Sequence, residues 1–338
     1  MSLSDPYNNL ASEVNAAEIL EPVAGHLEQL EDYLQSQIEA FEPEVQPLVE
    51  FTLGHSGKKI RPVLVFLSGY LGEEEASPEL VRAAAIVELV HLATLVHDDI
   101  LDEADLRHQV ETVTARYGPH SAVLLGDALF AHALKLAADY PTPEVCRAVA
   151  ESTRQVCSGE ICQTFARGDG DLSLPTYLRI IDLKTAELFA VSARLGARLS
   201  GGSEDWVAAA ETFARKLGVA YQIYDDLADI IGREDKAGKT LGTDLESGKL
   251  TLPVLYYLEE FEGAERAKAW QEMRNMSHAE RLQLLTEKAA VRRTHDYLVA
   301  ELGAARELLN RFPDLPASAC LAPLTLWVES ALHKLLHA

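Results

Sequence analysis

Two short aspartate clusters constrain this chain more than any other feature. They are Asp98-Asp99-Ile100-Leu101-Asp102 and Asp225-Asp226-Leu227-Ala228-Asp229, each set in an otherwise apolar run. A buried carboxylate without a partner is costly, so such groups are neutralised, paired or bound to metal. The first and last Asp of each cluster are four residues apart, which sets both on one face of a helix. Two such faces opposed across a cavity make a cage of hard oxygen ligands, suited to Mg²⁺ carrying phosphate oxygens. Asp99 and Asp226 point away from these pairs and read as partners of the ligating groups.

The rest of the chain supplies helices to carry those faces. Ala, Leu and Glu dominate, and apolar residues recur at spacings of three and four. Gly and Pro fall between the helical stretches, as at Gly72 to Pro78, Gly118-Pro119, Gly201-Gly202 and Pro313 to Pro316. Ser77-Pro78-Glu79 predicts a helix start, with Ser as cap and Pro in the first turn. No strand-like alternation of useful length, linker or low-complexity tract interrupts the pattern. The expectation is an all-α fold, a single large helical bundle with a central cavity over residues 1–338. The Gly- and Lys-rich stretch from Arg233 to Lys249 reads as a lid beside the second cluster.

Charge narrows the partners. A net charge of −23 argues against a nucleic-acid surface. An acidic chain that binds diphosphate needs local cations or metal. The four cysteines, Cys146, Cys157, Cys162 and Cys320, match no zinc pattern and suit a reduced, cytoplasmic chain. No signal peptide is expected, because the N-terminus is polar and acidic. The longest apolar stretch, Val81 to Ile100, is broken by Arg82, Glu88, His91, Asp98 and Asp99, so no membrane-spanning segment is expected.

Candidate cations lie around both clusters. Gly57-Lys58-Lys59-Ile60-Arg61-Pro62 places Lys58 and Arg61 at a helix start, where anions are favoured. His91 and Glu88 share helical spacing with Asp98, and Arg107 and His108 follow the cluster. Lys184-Thr185 pairs a cation with a hydroxyl, Gln222 precedes the second cluster, and Lys239 and Lys249 lie in the expected lid.

In their order these motifs resemble the trans-isoprenyl diphosphate synthases, or polyprenyl synthetases. The resemblance runs from about Gly57 to Pro253 and also takes in Gly126-Asp127, Gly159-Glu160 with Gln163, and Gly248-Lys249-Leu250-Thr251-Leu252-Pro253. It implies that Asp98 and Asp102 hold two Mg²⁺ ions and Asp225 a third, with Asp226 or Asp229. Arg107, Lys184, Lys239 and Lys249 would bind the allylic diphosphate, with Gln222 and Thr185 nearby. Lys58, Arg61, His91 and the position of His108 would hold isopentenyl diphosphate. The implied reaction is head-to-tail (1′-4) condensation by a homodimer with these two substrates.

Product length should depend on the residues below the first cluster. Ala93 and Thr94, five and four residues before Asp98, are small, so a long chain could run past Val90 and Ile86. His91 to Asp99 resembles the long-chain members. The chain departs from the family after the cluster, where Arg-Arg-Gly is replaced by Arg107-His108-Gln109; His108 keeps a donor but is charged only at lower pH. A shorter farnesyl or geranylgeranyl product and a non-catalytic subunit of a heteromeric prenyltransferase are the alternatives.

Overall fold

The computed structural model describes residues 16–55, 57–72, 75–107, 109–232 and 243–337. Its principal helices are α1 (Ala24–Ile38), α2 (Ile60–Ser68), α3 (Pro78–Leu101), α4 (Pro119–Ala138), α5 (Glu144–Ala166), α6 (Leu174–Ile181), α7 (Glu187–Leu199) and α8 (Glu204–Ile231). They continue as α9 (Leu252–Leu258), α10 (Gly263–Asn275), α11 (Ala290–Leu309) and α12 (Pro316–Leu336). Among the described residues the only strands form a small antiparallel hairpin after α3. In it β1 (Leu106–Arg107) pairs with β2 (Val110–Glu111). The all-α expectation holds.

Helix α3 begins as its sequence predicts. The Ser77 side chain accepts from the Leu80 backbone N–H at 3.3 Å, and Pro78 takes the first turn, where its missing N–H costs nothing. Its middle is buried on every side, from Ala83 through Val90. It packs against α2, α4 and α7, while α7 also packs along α8, and α8 along α11. Helix α7 therefore stands between the two helices that carry the aspartates. Both clusters lie toward the C-terminal ends of their helices.

The expectation about membrane-spanning length needs correction. Pro78–Leu101 and Pro119–Ala138 are each long and apolar enough by length and composition to cross a bilayer. Glu88 is the one carboxylate in the middle of α3, and a single charge there does not offset the mean hydropathy of the apolar residues on either side. In the most apolar window of α3, 72% of residues are buried inside the bundle, as befits a core helix.

Helices α2 and α7 cross closely because glycine stands at the contact. A Cβ at Gly196 would collide with the Val65 carbonyl oxygen and the Ser68 hydroxyl, and one at Gly69 would lie 2.7 Å from the Gly196 carbonyl oxygen. Backbone cannot step aside as a side chain can. Gly196→Ala is expected to destabilise the protein by about 2–3 kcal/mol, read from the shift of its urea unfolding midpoint.

Candidate active site

The C-terminal end of a helix carries partial negative charge, so aspartates there are doubly in need of cations. The structure supplies them one by one. Asp98 faces Lys184, whose ammonium lies 3.6 Å from its Oδ2, donates to Gln163 Oε1 at 2.8 Å and pairs with Glu160. Burial pushes the Asp98 carboxyl up to about 6, against the pull of Lys184. Asp99 accepts two bonds at Oδ1 from Arg107, at 2.9 and 2.7 Å from Nε and Nη2. Asp102 accepts from Lys249 at 3.1 Å and from Arg167 at 2.6 Å. Burial tends to raise the Asp102 carboxyl, but the two cations overcome it and hold it below its ordinary value.

Lys184 reaches the site through an irregular backbone. Asp182–Ala186 forms a π-turn between α6 and α7. Gly159 on α5 allows the close approach: a Cβ there would lie 2.6 Å from the Lys184 backbone nitrogen. That contact explains Gly159 in the Gly159-Glu160 motif. Gly126 is explained in the same way, since a Cβ would collide with the His97 ring.

In the second cluster Asp226 is held by neutral donors. The Tyr177 hydroxyl donates to Asp226 Oδ2 at 2.5 Å, and Gln222 Nε2 donates to Oδ1 at 3.0 Å. Thr185 donates in turn to Gln222 Oε1 at 2.7 Å. Burial pushes Asp226 up to about 7, with Asp244 adding to the rise. Asp229 accepts from the Asp244 backbone N–H at 3.4 Å. Gln222, Thr185 and the second cluster are thus one network.

The expected isopentenyl side gathers at the start of α2. Lys59 adopts φ +50 and turns the chain into the helix. Arg61 is partly buried over the Phe189 ring, 5.0 Å from its centroid, and feels the charges of Glu88, Asp225 and Asp98. Lys58 lies over Trp327 of α12, 5.2 Å from its centroid. His91 is held well below its ordinary value, first by burial and then by Arg61 and Arg107, so its imidazole is neutral near pH 7. Arg61 therefore lies within electrostatic reach of both aspartate clusters and of His91. Ala93 is fully buried, and Thr94 is partly buried with its hydroxyl on the His91 carbonyl at 2.6 Å.

His108 and Lys239 lie outside the described residues, as does most of the expected lid, 233–242. Sequence reasoning did not single out Tyr177, Asp244 or Arg167. Tyr177 occupies a core position of α6 and carries no motif, while Arg167 follows α5 as an ordinary polar residue would.

The site suits hard divalent cations by the chemistry of its donors: buried or half-buried carboxylates from two helices, each opposed by a cation or a hydrogen-bond donor. Among the described residues no three ligating groups are drawn to one point. The fold and site together define a helical bundle that carries an aspartate cluster near the C-terminal end of each of two helices, with cations gathered around the first.

Known proteins agree with that class. The polyprenyl synthetase family model matches residues 42–288. A nonaprenyl diphosphate synthase of Mycobacterium tuberculosis is 34% identical over 273 residues, covering 79% of this chain and 81% of the relative. Heptaprenyl diphosphate synthase component 2 of Geobacillus stearothermophilus is 38% identical over 272 residues, covering 80% and 78%. The crystal structure of a heptaprenyl diphosphate synthase from Staphylococcus aureus superposes with a TM-score of 0.84 at 28% identity, covering 91% of this chain and 98% of that one. The chain belongs to the polyprenyl synthetase family, and its activity is that of a prenyltransferase.

Glu88 gives the site a measurable pH dependence. It is 1% exposed, and burial pushes its carboxyl up to about 7 from 4.5, against Arg61 and Lys59. Between those values the folded chain holds a proton that the unfolded chain releases. Stability therefore falls as pH rises through this window, and the loss is complete above about pH 7. Glu88→Gln removes that ionisation. Its stability relative to the parent is expected to improve by about 3 kcal/mol between about pH 5 and pH 8, measured by thermal unfolding at both.

Proposed function

We propose that this protein catalyses Mg²⁺-dependent head-to-tail condensation of isopentenyl diphosphate with an allylic diphosphate, giving a long all-trans polyprenyl diphosphate. The observation that carries the reading is the pair of aspartate clusters, with Lys184 against Asp98, Lys249 against Asp102, and Arg61 within electrostatic reach of both. Asp98, Asp102 and Asp225 would hold the magnesium ions, with Asp226 orienting Gln222 and Asp229 anchoring the segment at Asp244. Bound magnesium would stabilise the pyrophosphate as the allylic carbon–oxygen bond breaks.

The chain's own residues then divide the work. Lys184 and Lys249 donate to the allylic diphosphate, and Arg107, fixed through Asp99, lends its charge from the hairpin. Lys239 belongs with them on sequence grounds. Arg61, Lys58 and neutral His91 hold isopentenyl diphosphate so that its double bond faces the allylic carbon. His108 is assigned to the same substrate from its sequence position. The apolar flank of α3 excludes water, which would otherwise quench the allylic cation. The proton lost after carbon–carbon bond formation passes to the departing pyrophosphate, so no protein base is required.

Long-chain relatives and the small residues Ala93 and Thr94 support an extended product. The four cysteines form no disulfide, which suits work in the reducing cytoplasm. A homodimer is supported by exposed apolar side chains on neighbouring α4 and α5: Leu124 is 68%, Ile161 53% and Phe165 83% exposed.

Incubated with Mg²⁺, isopentenyl diphosphate and allylic starters, the protein is expected to release pyrophosphate and yield diphosphates longer than twenty carbons by mass spectrometry. Thr94→Phe is expected to shorten them. Fifteen- or twenty-carbon products alone from the parent would mean a short-chain synthase, and no turnover would mean a non-catalytic subunit. Light scattering is expected to give twice the monomer mass, with Phe165→Glu shifting the protein toward monomer.

A further inference from the structure

Arg167 is a cation of this site that no motif foretells. It caps the C-terminus of α5 in extended backbone, with φ −62 and ψ 126. Its Nη2 donates to Asp102 Oδ1 at 2.6 Å and its Nη1 to the Leu101 carbonyl at 3.4 Å. Its Nε is enclosed and has no hydrogen-bond partner among the described residues. Lys249 takes the other oxygen of Asp102. Both oxygens of one carboxylate are therefore held by cations from two separate segments.

Those segments are fastened together. The Gly168 N–H donates to the Gly248 carbonyl at 2.9 Å, and Gly248 sits at φ +80, where a Cβ would lie 3.0 Å from the Gly168 nitrogen. Behind them Trp270 Nε1 donates to the Gly168 carbonyl at 3.4 Å. Arg266 donates to the carbonyls of Gly170, at 2.8 Å, and Leu172, at 3.1 Å. The loop that presents Arg167 is braced against α10, so its guanidinium is delivered to Asp102 from a fixed base.

We propose that Arg167 is a further diphosphate-binding residue, one that holds Asp102 until a divalent cation claims that carboxylate. The inference rests on the proposed function, in which Asp102 ligates magnesium. A divalent ion and a guanidinium compete for the same oxygen. As the ion takes Asp102, the donors of Arg167 turn to the nearest anion, the diphosphate that the ion carries. A planar guanidinium fits two phosphate oxygens at once, which an ammonium does not. Arg167 would thus oppose the ion alone and favour the ion together with diphosphate, making their binding cooperative.

The test measures Mn²⁺ binding by electron paramagnetic resonance, with and without inorganic pyrophosphate, for the parent, Arg167→Gln and Arg167→Lys. Arg167→Gln is expected to bind Mn²⁺ alone about two- to fivefold more tightly, since a partly exposed ion pair no longer competes. It is expected to bind the Mn²⁺–pyrophosphate complex about tenfold more weakly. Arg167→Lys should fall between, because charge is kept and the planar fork is lost. Affinities unchanged in Arg167→Gln, or shifted in the same direction for both ligands, would overturn the inference. A parent that binds neither Mn²⁺ nor its pyrophosphate complex would overturn the functional reading beneath it.

Discussion

Carboxylates crowded inside an apolar bundle set the terms for everything around them. Each repels its neighbours and loses hydration, so each must be answered by a specific partner. Arg107 answers Asp99, Lys184 answers Asp98, Arg167 and Lys249 answer Asp102, and Tyr177 with Gln222 answers Asp226. These partners come from the hairpin, the π-turn, the end of α5, α6, α8 and the segment before α9. The architecture can be read as the means of bringing those distant pieces to two helix ends.

The compensation differs between the two clusters. The first is met by full positive charges, which a divalent ion can replace in kind. Asp226 in the second is met by uncharged donors that fix its orientation while leaving its charge in place. Arg61, partly buried and set over Phe189, is a cation whose field reaches Asp98 and Asp225 alike. An allylic diphosphate entering such a site would meet strong directional charge on one side and a rigid hydrogen-bonded frame on the other.

Much of this was legible in the sequence because its causes are local. Apolar periodicity gave the helices, Ser77-Pro78 marked the start of α3, and the spacing of each aspartate cluster put its first and last members on one face. Lys184-Thr185 and Gln222 could be singled out as motif residues. What joins them could not, because the Thr185–Gln222 bond crosses 37 positions of sequence. Tyr177 and Arg167 were missed for the same reason: their partners lie 49 and 65 residues away. The departure at Gln109 has a visible backbone consequence. It stands at φ +66, where the family pattern has glycine, so the hairpin turn accepts a conformation that costs an L-residue about 1 kcal/mol or more. The apolar length of α3 exceeds the expectation because one or two charges within a long apolar run, such as Glu88, lower its mean hydropathy only a little.

The π-turn before α7 has a further consequence for anyone who would copy this site. With one residue fewer between Ile181 and Glu187 the segment could run as regular α-helix, rotating the downstream helix by about 100° and drawing it back by about 1.5 Å. The ammonium and hydroxyl of Lys184-Thr185 would then face different neighbours. Grafting the pair onto an ideal helix would transplant the letters without their aim, so an engineered version has to inherit the kinked backbone along with its side chains.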